Sequence, residues 1–426
     1  MTDITLAKDM LGFIEKSPSC FHAVSNIADV LSGNGFIELK ENEKWNIEDG
    51  SSYFVRRNNS SIIAFRIPSR KYSRFLICAS HSDSPSFKIK ENPEIVAGQT
   101  YVKLNVEKYG GMLCAPWFDR PLSVAGRLVL KKSSPFNLEE KLVAVDEDLL
   151  IIPNLAIHMN RNANEEFSCN VQNDMLPVFS CNKDDRLMDS VAKAAGVDPK
   201  DVKGSDLFLY CRDRGTFVGA NKEMLCSPRL DDLECVWTSL QGFLGGTNEN
   251  AATVFCVFDN EEVGSLTRQG ADSTFMEDVL KRINSACERT DEDFHISIAE
   301  SFMLSADNAH AGHPNFSSKA DPVNCPKLNG GPVIKFNAAQ KYTTDGISSA
   351  MFRSICEKAG VPVQVYTNRS DIAGGSTLGN LSNAHVSLRC VDIGLAQWAM
   401  HSPYETAGTE DVGYMVRAIK EFYSTN

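Results

Sequence analysis

The sequence lacks the motifs that would assign it directly to nucleotide chemistry, membranes or serine catalysis. It contains neither G-x-x-x-x-G-K-[ST] nor G-x-G-x-x-G, the phosphate-binding motifs of nucleotide enzymes. No apolar run approaches the ~18 residues of a transmembrane helix. We expect no signal peptide, because residues 1–9 contain no basic segment followed by an apolar one. The serine in Gly374-Gly375-Ser376-Thr377 lacks a G-x-S-x-G context, which disfavours a serine nucleophile.

Positive charge and paired cysteine motifs are also scarce. The chain has 43 Lys and Arg against 55 Asp and Glu, a formal net charge of −12, which disfavours nucleic acid and anionic membranes as partners. Any preference for acidic peptides must therefore come from local positive charge. The 13 cysteines are odd in number and contain no C-x-x-C, and several, such as Cys78, Cys256 and Cys390, fall in predicted core strands. We expect reduced, buried thiols and a cytoplasmic protein.

The most informative feature present is a pair of adjacent glutamates, Glu261 and Glu262. They follow the apolar run 253–258, whose β-branched and aromatic residues predict a buried strand. Carboxylates just past the carboxyl end of such a strand lie where open α/β sheets place their active sites. One glutamate can then bind a metal ion while the other accepts a proton from water. The alternative is a solvated acidic turn.

Metal-competent side chains occupy similar places elsewhere in the chain. His81 with Asp83, then Asp307, and later His401 follow predicted strands, whereas Asp231 opens a predicted helix, where the helix dipole favours a carboxylate. With one of the paired glutamates they supply two imidazoles and three carboxylates, a set that suits zinc or a similar divalent ion. Asp83 would support the His81 imidazole, because alternate residues of a strand face the same side. The alternative for these two residues is a surface pair.

Nine segments carry a resemblance to a known family. They are ASHSDSPSFKIK (79–90), KYGGMLCAPWFDRPLSVAGR (108–127), IPNLAIHMNR (152–161), SPRLDDL (227–233), FDNEEVGS (258–265), SADNAHAGHPN (305–315), GPVIKFNAAQKYTTD (331–345), NRSDIAGGSTLG (368–379) and VDIGLAQWAMHSPYE (391–405). In this order, they resemble the M18 metallopeptidases, the aspartyl-aminopeptidase family. No single segment is decisive, but together they run almost from end to end of the chain.

The resemblance implies a centre with two divalent metal ions in each subunit. The ions expected are Zn²⁺, with Co²⁺ or Mn²⁺ as alternatives. Asp231 would bridge the two ions. His81 and Asp307 would bind one ion, and Glu262 and His401 would bind the other.

Three residues are catalytic candidates: the resemblance implies the roles of Glu261 and His158, and the strand geometry indicates that of Asp83. Glu261 would be the general base that takes a proton from water and passes it to the leaving amine. Asp83 would support the histidine ligand two residues before it. His158 would reach the active site of a neighbouring subunit and stabilise the oxyanion. The alternative for His158 is an interface or core histidine.

Three further residues are candidates for binding substrate. Lys335 matches a lysine of the substrate pocket in the family, and the alternative is a solvated strand-end lysine. Tyr342 belongs to the same motif and would hydrogen-bond the substrate or the intermediate. Arg369 is the second positive candidate, but an ion pair with Asp371 is an equal alternative.

The expected fold is α/β, with two amphipathic helices at 4–33 and strand–helix alternation before and after a mostly β stretch. The proposed ligands bracket that stretch. We therefore predict a discontinuous catalytic domain (1–92 and 223–426) interrupted by an inserted block (93–222). The resemblance implies that the catalytic domain has a mixed sheet of the zinc-exopeptidase type, a phosphorylase/hydrolase-like sandwich. The resemblance implies that the inserted block mediates dimerisation and that dimers form a tetrahedral homododecamer. The alternative is a lid acting within one chain.

These observations predict a metalloaminopeptidase that releases N-terminal Asp or Glu from peptides with a free N-terminus. Two departures bear on that preference: Ser370 replaces an expected asparagine, and MHSPYE (400–405) lacks an arginine beside the histidine. A neutral, Leu-type preference is the first alternative. A di-metal hydrolase of another amide, such as a carboxypeptidase or deacylase, and a non-catalytic scaffold are the others.

Overall fold

The computed structural model describes residues 3–426 and builds them into helices and three sheets. The helices are α1 (Asp3–Glu15), α2 (Cys20–Gly33), α3 (Val171–Asp174), α4 (Leu187–Ala195), α5 (Leu230–Gly245), α6 (Phe275–Ala286), α7 (Asp291–Glu300), α8 (Gly346–Ala359), α9 (Leu378–His385) and α10 (Thr409–Ser424). The strands are β1 (Ile37–Leu39), β2 (Ser51–Arg57), β3 (Ser61–Ile67), β4 (Arg74–His81), β5 (Ser86–Ala97), β6 (Tyr101–Tyr109), β7 (Leu122–Ser134), β8 (Asn137–Ala144), β9 (Val178–Ser180), β10 (Val202–Cys211), β11 (Thr216–Val218), β12 (Met224–Ser227), β13 (Ala251–Phe258), β14 (Phe302–Ala306), β15 (Ala309–His310), β16 (Val333–Phe336), β17 (Gln364–Thr367), β18 (Arg389–Gly394), β19 (Ala396–Trp398) and β20 (Glu405–Gly408). Short 3-10 turns lie at Ala115–Trp117, Pro199–Asp201, Glu261–Val263 and Ser317–Lys319.

The largest sheet has nine strands in the order β1-β2-β3-β13-β4-β14-β18-β16-β17 and is mixed. Its centre, from β13 through β4 and β14 to β18, is parallel. Every residue of β13 is buried, as expected for a parallel strand covered by helices on both faces. One core contains residues of α1, α2, α5, α8 and α10, and a second core on the opposite face contains residues of α6, α7 and α9. The predicted α/β class with a mixed sheet is confirmed.

The register of the central strands sets the position of the candidate site. Phe258 of β13 pairs with His81 of β4, so these two strands end at the same level. Ser305, one residue before the end of β14, pairs with Ala79 of β4. The carboxyl ends of three neighbouring parallel strands therefore meet at one edge, where their following residues lie side by side.

A second sheet of six strands, in the order β8-β7-β10-β5-β6-β9, is formed from residues 86–211 and is antiparallel throughout. It has its own core, which includes Phe87, Val124 and Leu207. The strand β5 crosses the expected boundary at residue 92. The division of the chain into a catalytic domain and an inserted block stays a prediction.

The third sheet brings distant parts of the chain beside the edge of the first. It has five short strands in the order β11-β12-β20-β19-β15. Its central strand, β20, pairs with β12, which runs directly into α5. It also pairs with β19, which precedes His401. Segments that are nearly two hundred residues apart, Met224–Ser227 and Glu405–Gly408, are thereby joined.

Two further expectations concern the cysteines and the helices. All thirteen cysteines are free, and Cys78, Cys256 and Cys390 are buried in strands of the large sheet, as the sequence predicted. None of the helices within residues 3–426 has both the length and the hydropathy needed to cross a membrane.

Candidate active site

Five candidate metal ligands converge at the edge of the large sheet. His81 is the last residue of β4, Glu262 lies in the 3-10 turn that follows β13, and Asp307 follows β14 directly. Asp231 is the second residue of α5, and His401 follows β19 by three residues. The sheet and the helix thus bring together side chains that are up to 320 positions apart in sequence (81 to 401).

These side chains take part in three groups of potential ligands. Two of the groups share one carboxylate, and the third joins His81 and Glu262 with Glu261. The His81 group consists of His81, Asp231, Asp232 and Asp307, and the His401 group consists of Asp231, Glu262 and His401; the potential ligand atoms of each group lie within 4.8 Å of one another. Oδ1 of Asp231 lies 3.5 Å from Nε2 of His81, and its Oδ2 lies 3.5 Å from Nε2 of His401. A carboxylate that offers one oxygen to each group has the placement of a bridging ligand.

The residues present fit divalent cations. Oδ1 of Asp231 and Oε1 of Glu262 are buried and have no hydrogen-bond partner within residues 3–426, an arrangement that is costly unless a cation satisfies these oxygens. Burial, reinforced by the nearby Asp231, raises the pKa of Glu262 well above its ordinary value. Positive charge is therefore needed to hold the Glu262 carboxylate ionised. The donor set of imidazole nitrogens and carboxylate oxygens suits zinc and similar ions.

Each of the two candidate histidine ligands is oriented by a contact of its Nδ1 atom, the ring nitrogen that does not face Asp231. Nδ1 of His81 lies 3.1 Å from the carbonyl oxygen of Asp83, and Nδ1 of His401 lies 2.7 Å from that of Gly111. A carbonyl acceptor requires that Nδ1 carries the proton, which leaves Nε2 free to bind metal. The two Nε2 atoms face the shared Asp231.

Asp83 supports the glutamate pair as well as His81. Its Oδ1 lies 3.4 Å from Nδ1 of His81 and accepts a hydrogen bond from the backbone N–H of Glu261 at 3.1 Å. Its Oδ2 accepts from the backbone N–H of Glu262 at 3.2 Å and from the Tyr109 hydroxyl at 2.7 Å. The carboxylate therefore fixes the turn that presents both glutamates, a role that the sequence did not suggest.

Two buried acids near the ligands were missed by the sequence reasoning. Glu405 accepts hydrogen bonds from the backbone N–H groups of His401 at 2.7 Å and Asp231 at 3.0 Å. Asp232 accepts from the backbone N–H of His81 at 3.1 Å. Each acid thus holds the backbone of one or two candidate ligands. The only sequence signal was their proximity, Asp232 next to one ligand and Glu405 four residues after another.

A cavity with an empty volume of about 650 Å³ opens over both metal-ligand groups. Glu261, Lys335 and Tyr342 are among the residues that line it. The Lys335 ammonium donates to the carbonyl oxygens of Asp307 at 2.8 Å and Asn308 at 3.3 Å, and it lies 3.6 Å from Oδ2 of Asp307. Burial would lower the pKa of Lys335, but Asp307, Tyr342 and Asp392 together outweigh it, so the pKa is raised and the lysine stays charged.

Two sequence candidates lie outside the cavity of their own chain. His158 is exposed in a turn of the inserted block. Arg369 forms a two-pronged ion pair with Asp371, with both N–O distances at 2.7 Å, and also contacts the carbonyl oxygen of Ser318. The ion pair that the sequence left open as an alternative is thus present in the structure.

The raised pKa values of the buried acids predict how the stability of the metal-free protein depends on pH. Burial raises the pKa values of Glu261 and Glu405 to about 8. A carboxyl whose pKa is raised on folding contributes stability below its unfolded pKa of about 4 and loses it as the pH rises through the folded value. We therefore expect the Tm of the metal-free protein to fall from pH 5 to pH 9.

Scanning calorimetry with and without a chelator measures this effect. The difference in Tm between metal-loaded and metal-free protein should widen over the same pH interval, because bound cations hold the same carboxylates ionised. A metal-free Tm that rises towards pH 9 would contradict the prediction.

Comparison with known proteins gives a consistent result over nearly the whole chain. Residues 13–423 match the family described as "Aminopeptidase I zinc metalloprotease (M18)". A "Probable M18 family aminopeptidase 2" from Clostridium novyi is 47% identical over 428 residues, which is 99% of each chain. Among solved structures, the cryo-EM structure of the Ape4 and Nbr1 complex matches with a TM-score of 0.94 and 35% identity, covering 99% of this chain and 87% of that one. The S. cerevisiae mApe1 dodecamer matches with a TM-score of 0.86 and 28% identity, covering 99% and 96%.

Proposed function

Because this chain belongs to the M18 family of zinc metalloproteases and is an aminopeptidase, we propose that it binds two divalent cations and releases N-terminal Asp or Glu from peptides. The observation that carries the two-cation centre is Asp231, buried between the His81 group and the His401 group. Zn²⁺ is the proposed ion, with Co²⁺ or Mn²⁺ as alternatives.

The proposed reaction uses Glu261 to move a proton. Glu261 lines the cavity beside both ligand groups, and burial, reinforced by Asp307, raises its pKa to about 8. When bound, divalent cations supply Lewis acidity, which polarises a carbonyl and eases the deprotonation of water. Glu261 accepts the proton of the attacking water and delivers it to the leaving amine. Asp83 holds the turn on which Glu261 lies, through the hydrogen bond to its backbone N–H.

The proposed preference for acidic residues rests on Lys335. Its buried ammonium places a positive charge in the cavity wall, 5.3 Å from the centre of the Tyr342 ring. We propose that Lys335 attracts the substrate carboxylate and that the Tyr342 hydroxyl donates a hydrogen bond to the substrate. Arg369 is a weaker candidate, because Asp371 already neutralises its charge.

Initial rates on matched chromogenic amides of Asp, Glu, Leu and Lys test the proposed function, with protein reconstituted with zinc, cobalt or manganese. Fast release from Asp and Glu alone supports it. A preference for Leu would retain the mechanism and reject the acidic pocket. Release that does not require a free α-amino group would indicate a hydrolase of another amide.

A neutral preference has one specific observation in its favour. The Lys335 ammonium already donates to two carbonyl oxygens and faces the Asp307 carboxylate, so its charge is partly neutralised. A substrate carboxylate must then displace one of these partners or accept a longer contact.

Replacing Lys335 with methionine should reduce the selectivity for Asp over Leu substrates by about 10- to 100-fold, because a hydrogen bond to a charged group contributes about 1.5–3 kcal/mol. The ratio of kcat/KM values for the two substrates measures this effect. Lys341→Met is a matched control, since Lys341 is exposed. If kcat/KM fell for both substrates and zinc were lost, Lys335 would instead have the role of positioning Asp307.

We further propose a cytoplasmic homo-oligomer in which dimers form through the inserted block and assemble into a tetrahedral dodecamer. The mApe1 relative is a dodecamer. Around His158 the inserted block exposes Leu155 by 57%, Met159 by 74% and Phe167 by 53%, which is typical of an interaction surface. This placement supports a role for His158 in the active site of a neighbouring subunit. The free cysteines support the reducing compartment. Light scattering of the purified protein tests the assembly, and a monomer would reject it.

A further inference from the structure

We propose that a bracing segment of the inserted block, Tyr109–Leu113, is a positioning element of the metal centre, so that the inserted block sets how tightly the catalytic domain holds its metal. The inference rests on the proposed metal centre and deepens it. The segment begins at the last residue of β6 and passes directly over the His401 group.

The first contact is made by the Tyr109 side chain. Its hydroxyl donates to Oδ2 of Asp83 at 2.7 Å and accepts from Nδ2 of Asn260 at 2.8 Å. Its ring packs edge-on against Phe208, with the ring centres 5.3 Å apart. Burial raises the pKa of Tyr109 far above its ordinary value, which keeps the hydroxyl protonated as a donor. Tyr109 therefore ties the residues after β4 to those after β13.

The second contact depends on the absence of a side chain at Gly110. Its φ is +80°, and a Cβ atom built there would lie 3.1 Å from Cβ and 3.5 Å from Oε2 of Glu262. The backbone of the bracing segment thus lies against the glutamate of the His401 group, as only glycine permits without displacement.

The third contact consists of two hydrogen bonds between the bracing segment and His401. Nδ1 of His401 donates to the carbonyl oxygen of Gly111 at 2.7 Å, and the carbonyl oxygen of His401 accepts from the backbone N–H of Leu113 at 3.0 Å. The ring is thereby turned so that Nε2 lies 3.5 Å from both Oδ2 of Asp231 and Oε2 of Glu262.

All three contacts are made by the same short segment, and all of them support the candidate metal centre. Each comes from residues 109–113, and each reaches a candidate ligand or the acid that fixes the glutamate turn. Groups that orient metal ligands typically change metal affinity by about 10- to 100-fold when they are removed. A displacement of the inserted block would loosen Glu262 and His401 together, because the segment contacts both.

The experiment measures zinc affinity without substrate, by competition with a chromophoric chelator, for the full chain and for Tyr109→Phe. The variant keeps the ring and removes only the hydroxyl. We expect it to release zinc at about 10- to 100-fold lower chelator concentration. Tyr101→Phe is the control, because Tyr101 lies on the same strand and is 50% exposed.

A second pair of variants covers the case in which Tyr109→Phe does not fold. Gly110→Ala should lower zinc affinity, whereas Gly98→Ala should not. Gly98 also has a positive φ, +58°, but apart from its chain neighbours no described residue would lie within 4 Å of a Cβ atom there. Equal zinc affinity of Tyr109→Phe or Gly110→Ala and the native chain would overturn the inference. A native chain that binds no zinc would instead reject the proposed metal centre.

Discussion

Glu261→Gln should lower kcat by about 100- to 10,000-fold, which is the usual contribution of a general acid–base group. Glutamine has nearly the shape of glutamate but accepts no proton. Asp83 accepts a hydrogen bond from the backbone N–H of residue 261 at 3.1 Å. This bond does not depend on the side chain at position 261, so the turn should be preserved. The measurement combines kcat on an Asp amide with the zinc content of the same preparation, and we expect the zinc content to be unchanged.

The zinc content decides between two roles, because Glu261 also lies within ligand distance of His81 and Glu262. A variant that loses both zinc and activity would make Glu261 a ligand. A variant that keeps its zinc and its full rate would remove Glu261 from the mechanism. Glu249→Gln controls for the loss of one negative charge, since Glu249 is exposed.

The strand-end part of the site could be predicted because a parallel sheet has a regular geometry. Apolar runs ended at His81, before Glu261 and Glu262, and at Asp307, and the carboxyl ends of parallel strands meet at one edge. The sequence does not state strand order, but any order that makes these strands neighbours gives the same cluster. The structure supplies that order, with β4 between β13 and β14.

The supporting residues could not be predicted, because their contacts follow no local period. Glu405 lies 174 residues from Asp231, and the two are joined only because β20 pairs with β12 immediately before α5. Tyr109 and Asn260 are 151 residues apart and belong to different sheets or their flanking turns. Hydropathy patterns identify such strands but not their partners.

The contacts of Arg369 also could not be predicted from the sequence, although one of its partners is only two residues away. Its spacing from Asp371 allowed either an ion pair or a role in the substrate pocket. The structure forms the pair with both nitrogen–oxygen distances at 2.7 Å and adds the Ser318 carbonyl, which lies 51 residues earlier. The contact with that distant loop, which the spacing of Arg369 and Asp371 does not reveal, helps to fix where the guanidinium lies.

The bracing segment connects two proposals that would otherwise be independent. The exposed apolar residues around His158 and the bracing segment both belong to the inserted block. If subunit contacts fix the inserted block, they also fix Gly110 against Glu262 and Gly111 against His401. Assembly would then strengthen metal binding in each subunit, in addition to any contribution of His158 to a neighbour.

The second large effect is expected for Asp231→Asn. Asp231 is the one side chain common to the His81 group and the His401 group, so the loss of its charge should release both cations, whereas His401→Ala should release one. We expect kcat to fall by at least about 1,000-fold, since the cations contribute several kcal/mol to the stabilisation of the transition state. Zinc per chain, measured by atomic spectroscopy after gel filtration, should approach zero in Asp231→Asn and one in His401→Ala.

The variant Asp232→Asn tests whether Asp231, rather than the neighbouring Asp232, is the metal ligand. Asp232 is fully buried, and its Oδ2 accepts a hydrogen bond from the backbone N–H of His81 at 3.1 Å. The side-chain oxygen of an asparagine can still accept this hydrogen bond. This variant should therefore retain most of its zinc. Equal zinc losses in Asp231→Asn and His401→Ala would replace the two-cation centre by a single site to which both residues bind. Loss in Asp232→Asn but not in Asp231→Asn would move the ligand role to Asp232, since its carboxylate lies within the same 4.8 Å group as His81 and Asp307.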